Sequence, residues 1–116
     1  RDYIGIDVAK APEAQKLGIT HYPGWSAYWV DGTTFVKAAR VEANATYPDR
    51  GCSFETFTNG KIIELETLGT LGKIAPDATA THIEWWTLLD GLPRPDSDAA
   101  FAKLSAAVKA WMKKIQ

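Results

Sequence analysis

Two glutamates, Glu64 and Glu66, lie one residue apart in the apolar stretch formed by residues 61–68. The stretch is rich in residues that favour β-strands, and strand side chains alternate between the two faces of a sheet. Both carboxylates therefore point to one face, where they could accept hydrogen bonds from a hydroxyl-rich ligand. The pattern alone favours a plainer interpretation, in which this face is an outer sheet surface exposed to water.

Other polar residues flank this acidic pair. Glu55 lies on the preceding predicted strand, and Arg50 and Asn59 stand near the two ends of that strand. All three are candidates for binding ligand hydroxyls. Glu55 could equally accept a hydrogen bond from Arg50 or Lys61 as a structural pair. For Asn59, which precedes a glycine, a role in the turn is the favoured interpretation.

The histidines and tryptophans complete the candidates for ligand contact. The chain has only His21 and His82 to supply an imidazole acid, and each also fits a plain structural position, in a loop and on a sheet face respectively. Exposed indole rings can stack on the apolar C–H patches of a sugar ring. Trp25 and Trp86 are the candidates for such stacking, although tryptophans more often belong to the core.

Alternating strands and turn residues position these side chains. Asp31-Gly32 and Asn59-Gly60 are favoured two-residue hairpin turns, so each predicts an antiparallel pair of strands. The second hairpin brings Glu55 opposite the region of Glu64 and Glu66, and the pairing register decides whether they share a face. The predicted strands cover residues 25–30, 33–41, 52–58, 61–68 and 79–89.

Helical patterns lie towards the two ends of the chain. Residues 11–17 form a possible short helix. Near the other end, Asp96, Ser97 or Asp98 can cap a helix with apolar residues at helical spacing. The expected fold is mainly β, an antiparallel β-sandwich in residues 1–92, followed by a linker and an amphipathic C-terminal helix in residues 93–116 that packs on the same domain. The apolar residues of that helix are Phe101, Leu104, Val108, Trp111, Met112 and Ile115.

Composition excludes several classes of function. The chain of 116 residues has a net charge of -1 from 13 basic and 14 acidic residues, so no basic surface for nucleic acid or for an anionic membrane is indicated. No apolar run is long enough to span a bilayer. The single cysteine, Cys52, is expected in the core. The spacing predicts no metal site and no cofactor, although clustered carboxylates could hold calcium if backbone oxygens joined them. The sequence assigns no compartment.

Two strings carry a family resemblance, YPDRGCSFETFTN at 47–59 and ELETLG at 64–69. With shorter matches at 24–28, 35–37, 75–77 and 84–86, they make residues 20–90 similar to the C-terminal half of an uncharacterised bacterial family. That family is related to the aldose 1-epimerases, within the galactose mutarotase-like superfamily. Its members are considerably longer and contain a larger sheet. The resemblance therefore implies a homo-oligomer, or a second chain that completes the sheet, because open sheet edges invite strand pairing.

The resemblance also implies a saccharide ligand and a reaction. In the superfamily a carboxylate removes the proton from the anomeric hydroxyl while a histidine protonates the ring oxygen, so that the ring opens and closes again from either face. Glu66, Glu64 and Glu55 are the candidates for the base, with Glu66 ranked first, and His82 is the candidate for the acid. Three functions stay open: a saccharide-binding domain, an epimerase, and a structural or oligomer-forming domain that has lost the sugar pocket.

Overall fold

The computed structural model describes residues 3–20, 22 and 24–115, and over this part of the chain the protein is mainly β. It forms two compact units. Unit 1 contains the described residues up to Gly24 together with Ala39–Ile83, and unit 2 contains Trp25–Ala38 and the described residues from Glu84 onward. The strands are β1 (Gln15–Ile19), β2 (Trp25–Val30), β3 (Thr33–Ala39), β4 (Phe54–Thr58), β5 (Ile63–Thr67) and β6 (Glu84–Asp90). The helices are a single 3₁₀ turn (Val8–Lys10), the short α1 (Pro48–Gly51) and α2 (Asp98–Met112).

Unit 1 is built on an antiparallel sheet with the strand order β1-β4-β5. One face of this sheet covers a small apolar core, in which the rings of Tyr22 and Phe54 stack with centroids 4.8 Å apart. Ala39 completes the buried cluster, and Ile19 and Leu65 pack against it. The opposite face of the sheet is thereby left for the polar side chains of the same strands.

Unit 2 combines a second sheet, of order β2-β3-β6, with helix α2. Val36 of β3 is fully buried against Leu104 and Val108 of the helix, which lie one turn apart on its apolar stripe. The helix begins as predicted, because the Ser97 hydroxyl accepts a hydrogen bond from the backbone N–H of Ala100 at 3.3 Å.

Both predicted hairpins are present. In the first, Asp31 and Gly32 have φ angles of 48° and 86°, the positive values that a type I′ turn requires. The second loop is longer than the predicted two residues, because the last pair of the ladder joins Thr58 to Ile63 and leaves residues 59–62 in the loop. The cause is local: the Asn59 side chain caps this loop and replaces the next pair of backbone bonds.

Two other sequence-based assignments need correction. The helix predicted over residues 11–17 is wrong, since Gln15–Ile19 form strand β1 paired along the whole length of β4. Partner strands can override a weak local preference for helix, and this stretch is stabilised by pairing with a buried neighbour. The strand predicted over residues 79–89 is shorter at its start, because β6 begins only at Glu84.

Candidate ligand-binding face

The strand register settles which acids share a face. Glu55 of β4 lies directly opposite Glu66 of β5, and directly opposite partners in an antiparallel pair project to the same side of the sheet. Glu64 lies one row away, opposite Phe57, and also belongs to this side. The structure therefore brings together the three acids selected from the sequence, and we call this side of the unit 1 sheet the acidic face.

Lys16 of β1 also belongs to the acidic face. It is the pairing partner of Phe57, along the edge of β4 that is not paired with β5. Its Nζ lies 2.5 Å from Oε2 of Glu55 and 3.5 Å from Oε2 of Glu66. The sequence pattern does not single out this lysine, because it predicts a possible short helix over residues 11–17. Lys16 and Gly18 stand two residues apart, as residues on one face of a strand do. This spacing is the sequence signal that would place Lys16 on a strand.

The Lys16–Glu55 pair joins a buried charge to an exposed one. The Glu55 side chain is only 8% exposed whereas that of Lys16 is 53% exposed. A carboxylate removed from water needs a partner charge, and Lys16 supplies it from the edge of the sheet. The hydrogen bond from Lys16 to Glu55 raises the pKa of Lys16 above its usual value; desolvation opposes this rise, and the negative charges of Glu55 and Glu66 reinforce it.

Gly18 makes room for the thiol of Cys52 in the middle row of this face, beside Glu55. A Cβ atom at Gly18 would lie only 2.5 Å from Sγ of Cys52 and 3.7 Å from Oε1 of Glu55. The predicted burial of Cys52 is confirmed, and its thiol occupies the space that a side chain at position 18 would need. Gly18, Glu55 and Glu66 are pairing partners across the three strands and so form one row of this face. The row thus contains two carboxylates and one position without a side chain.

Glu66 has unused hydrogen-bonding capacity. Its Oε2 atom is shielded from solvent and accepts no hydrogen bond, and the 3.5 Å contact with Lys16 is longer than a charged hydrogen bond. The side chain as a whole is 41% exposed, so a ligand can contact this residue from the solvent. A shielded acceptor without a short hydrogen bond is uncommon in native structures and marks a place where a closer donor would be stabilised.

His82 lies away from the acidic face. Its Nε2 atom is 2.8 Å from the hydroxyl of Thr67, and Thr67 follows Glu66 directly on β5. Neighbouring residues of a strand project to opposite faces, so the Thr67 hydroxyl and the Glu66 carboxylate are on opposite sides of the sheet. The structure therefore does not bring His82 together with Glu66 or Glu64. The other histidine, His21, lies outside the described residues.

Asn59 and Arg50 stand at opposite ends of β4. The Oδ1 atom of Asn59 accepts hydrogen bonds from the backbone N–H groups of Lys61 and Ile62, at 3.1 and 3.2 Å. Its side chain is therefore engaged in shaping the loop. Arg50 is exposed in the short helix α1, and its φ of 65° is unusual for a residue other than glycine.

The two tryptophans proposed for ligand contact belong to unit 2, where they have different environments. Trp25 packs against the apolar cluster between the sheet and helix α2, so it contributes to the core. Trp86 is 63% exposed, and its Nε1 donates a hydrogen bond of 3.0 Å to Oε2 of Glu84. The ammonium of Lys37 lies 5.3 Å from the centroid of this indole ring and 3.1 Å from Oε1 of Glu84.

Within residues 3–20, 22 and 24–115, no group of three or more His, Cys, Asp and Glu side chains has an arrangement that could hold a metal ion. In the same part of the chain, no helix has the length and hydropathy needed to cross a bilayer. Comparisons of the chain with protein-family models, with curated proteins and with solved structures find no match.

Proposed function

We propose that the acidic face of unit 1 binds a saccharide through hydrogen bonds from sugar hydroxyls to its carboxylates, with Glu66 as the principal acceptor. Lys16 holds Glu55 in place and offers its exposed ammonium to a ring or hydroxyl oxygen. The choice of a saccharide, and of the mutarotase-like β-sandwich type, comes from the resemblance of residues 20–90 to that superfamily.

The observation that carries this proposal is the shielded, unsatisfied Oε2 atom of Glu66 in the row that contains Glu55. A hydroxyl donor that reached the Glu66 carboxylate, whose side chain is 41% exposed, would form a charge-assisted hydrogen bond of the kind worth about 1.5–3 kcal/mol. Carboxylates accept hydrogen bonds and sugar hydroxyls can donate them. Adjacent hydroxyls of one sugar ring could therefore bind carboxylates that lie in neighbouring rows of this face.

The geometry supports binding better than epimerisation. Interconversion of anomers needs a base and an acid that reach one sugar from suitable sides, each within hydrogen-bonding distance of its oxygen. Glu66 could serve as the base, whereas the imidazole of His82 contacts Thr67 on the other side of β5. Of the described residues, no histidine shares the acidic face with Glu66, and we therefore assign this face a binding role.

A titration with aldoses tests the proposal. The affinity of each sugar is measured for the wild type, for Glu66→Gln and for Glu13→Gln, which makes the same chemical change at an exposed acid outside the acidic face. We expect Glu66→Gln to weaken binding about tenfold or more, since about 1.4 kcal/mol corresponds to tenfold, and Glu13→Gln to leave it unchanged. Equal affinities for the three proteins, or no binding of any sugar, would reject the proposal and leave a structural role for the sheet.

A further inference from the structure

Strand β6 forms one end of the unit 2 sheet, next to β3. Two of its apolar side chains are largely exposed, Trp86 at 63% and Leu88 at 65%, and they project to the same side of the strand because they are two residues apart. Within the described part of the chain, no further strand continues the sheet beyond β6. The unit therefore ends in a seven-residue strand that carries an exposed apolar pair.

Natural proteins usually protect such edges with lysine, proline, a bulge or an inward charge. The other sheet illustrates this protection, since its edge strands carry Lys16 on β1 and Glu64 and Glu66 on β5. The sequence of β6, EWWTLLD, contains neither lysine nor proline, and its acids stand only at its two ends. Its centre is thus open to pairing with another strand.

The sequence of β6 is complementary to itself when two copies run antiparallel. With Thr87 opposite Thr87 of a second copy, Trp86 lies opposite Leu88 and Trp85 lies opposite Leu89. Each large aromatic residue therefore meets a branched aliphatic residue, a type of cross-strand pair that stabilises a sheet. A symmetric pair of this kind closes on itself, because each copy uses the same residues.

In this register, acidic residues of the two copies face each other at both ends of the paired strands. Glu84 would lie opposite Asp90 of the second copy, so two acids face each other at each end. Lys37, 3.1 Å from Glu84, provides a positive charge beside each of these acidic pairs. Asp90 accepts a hydrogen bond from the Thr33 hydroxyl at 2.8 Å, an acceptor role that asparagine can keep.

We propose that two copies of this chain associate through their β6 strands, in the antiparallel register centred on Thr87, to form one continuous sheet across the two unit 2 sheets. The occupant of the edge is a second copy rather than another protein, because the match between aromatic and aliphatic residues arises from one sequence read in both directions. The inference does not depend on saccharide binding, which concerns unit 1.

Sedimentation over a range of protein concentrations tests this pairing, with three variants beside the wild type. Leu88→Lys places a charge at the centre of the edge and should weaken association at least tenfold. Ile62→Lys makes a similar change at an exposed residue of unit 1, 49% exposed, and should leave association as in the wild type. Asp90→Asn removes one of two facing charges at each end, so it should strengthen association severalfold.

The far-ultraviolet circular dichroism of each variant verifies that it is folded. A wild type that is monomeric at every concentration would overturn the proposal. Association that is insensitive to Leu88→Lys in a folded protein would overturn it equally, because a different surface would then be responsible. In a supporting result, the amides of β6 would also gain protection from hydrogen exchange as the protein concentration rises.

Discussion

The ammonium of Lys16 forms an ion pair with the buried carboxylate of Glu55, and this contact links edge strand β1 to central strand β4. The pair fixes the acid in the middle of the acidic face, while the lysine stays half exposed at its margin. A buried carboxylate that loses such a partner is left with an uncompensated charge. We therefore expect Lys16→Met to destabilise the protein, measured as a lower urea midpoint, whereas Lys10→Met outside the sheet should change the midpoint little.

The same ion pair predicts how stability depends on pH. The folded protein raises the pKa of Lys16 above its usual 10.5, chiefly through the hydrogen bond to Glu55. A raised lysine pKa means that the folded state holds this proton more tightly, so the stabilisation is fully present below pH 10.5 and is lost as the pH rises through the folded value. Urea unfolding of the wild type and Lys16→Met should therefore show a difference that narrows in this alkaline range. A difference that stays constant there would contradict the assignment.

Gly18 and Cys52 should be energetically coupled. Gly18→Ala forces a Cβ atom against Sγ of Cys52, and overpacking of this kind costs about 1–3 kcal/mol in the free energy of unfolding. Removing the sulfur relieves the collision, so Gly18→Ala should cost much less in a Cys52→Ala background.

A matched glycine provides the control for this prediction. At Gly72 an added Cβ would meet nothing within 4 Å, so Gly72→Ala should leave stability nearly unchanged. The measurement is a double-mutant cycle by urea unfolding, in which the coupling energy is the deviation from additivity. Additive effects of the Gly18 and Cys52 substitutions would show that the thiol does not limit this position.

Trp25 and Trp86, both in unit 2, should respond differently to truncation. Trp25 packs against the cluster of Val36, Leu104 and Val108, so Trp25→Ala should lower the free energy of unfolding by about 3 kcal/mol. Trp86→Ala removes a mostly exposed ring and should cost much less. Urea denaturation of both variants checks this order, and a larger loss for Trp86→Ala would contradict the described packing.

Much of this architecture is readable from the sequence because it depends on local patterns. Positive-φ turn chemistry at Asp31-Gly32 and the alternation around Glu64 and Glu66 predict hairpins and a shared acidic face. The cap at Ser97 and the apolar stripe predict helix α2. Each of these features is predicted from residues that are close to one another in the sequence.

The remaining features depend on contacts between distant parts of the chain. Strand β1 is held by its register with β4, and its own residues are mostly exposed, so they give little hydrophobic signal. The role of Lys16 and the need for glycine at position 18 follow only from that register. His82 forms a hydrogen bond with Thr67, which lies 15 positions earlier in the sequence. Most of the intervening chain has no regular structure, so no local pattern predicts this contact.

The binding of a sugar to the acidic face can be tested by mapping the effects of the sugar on backbone amide signals. In ¹H–¹⁵N spectra recorded during an aldose titration, we predict saturable shifts centred on Lys16, Gly18, Glu55 and Glu66, which disappear in Glu66→Gln under the same conditions. An absence of saturable shifts for every aldose tested, or shifts confined to the residues around Trp86, would contradict the assignment of the ligand to the acidic face.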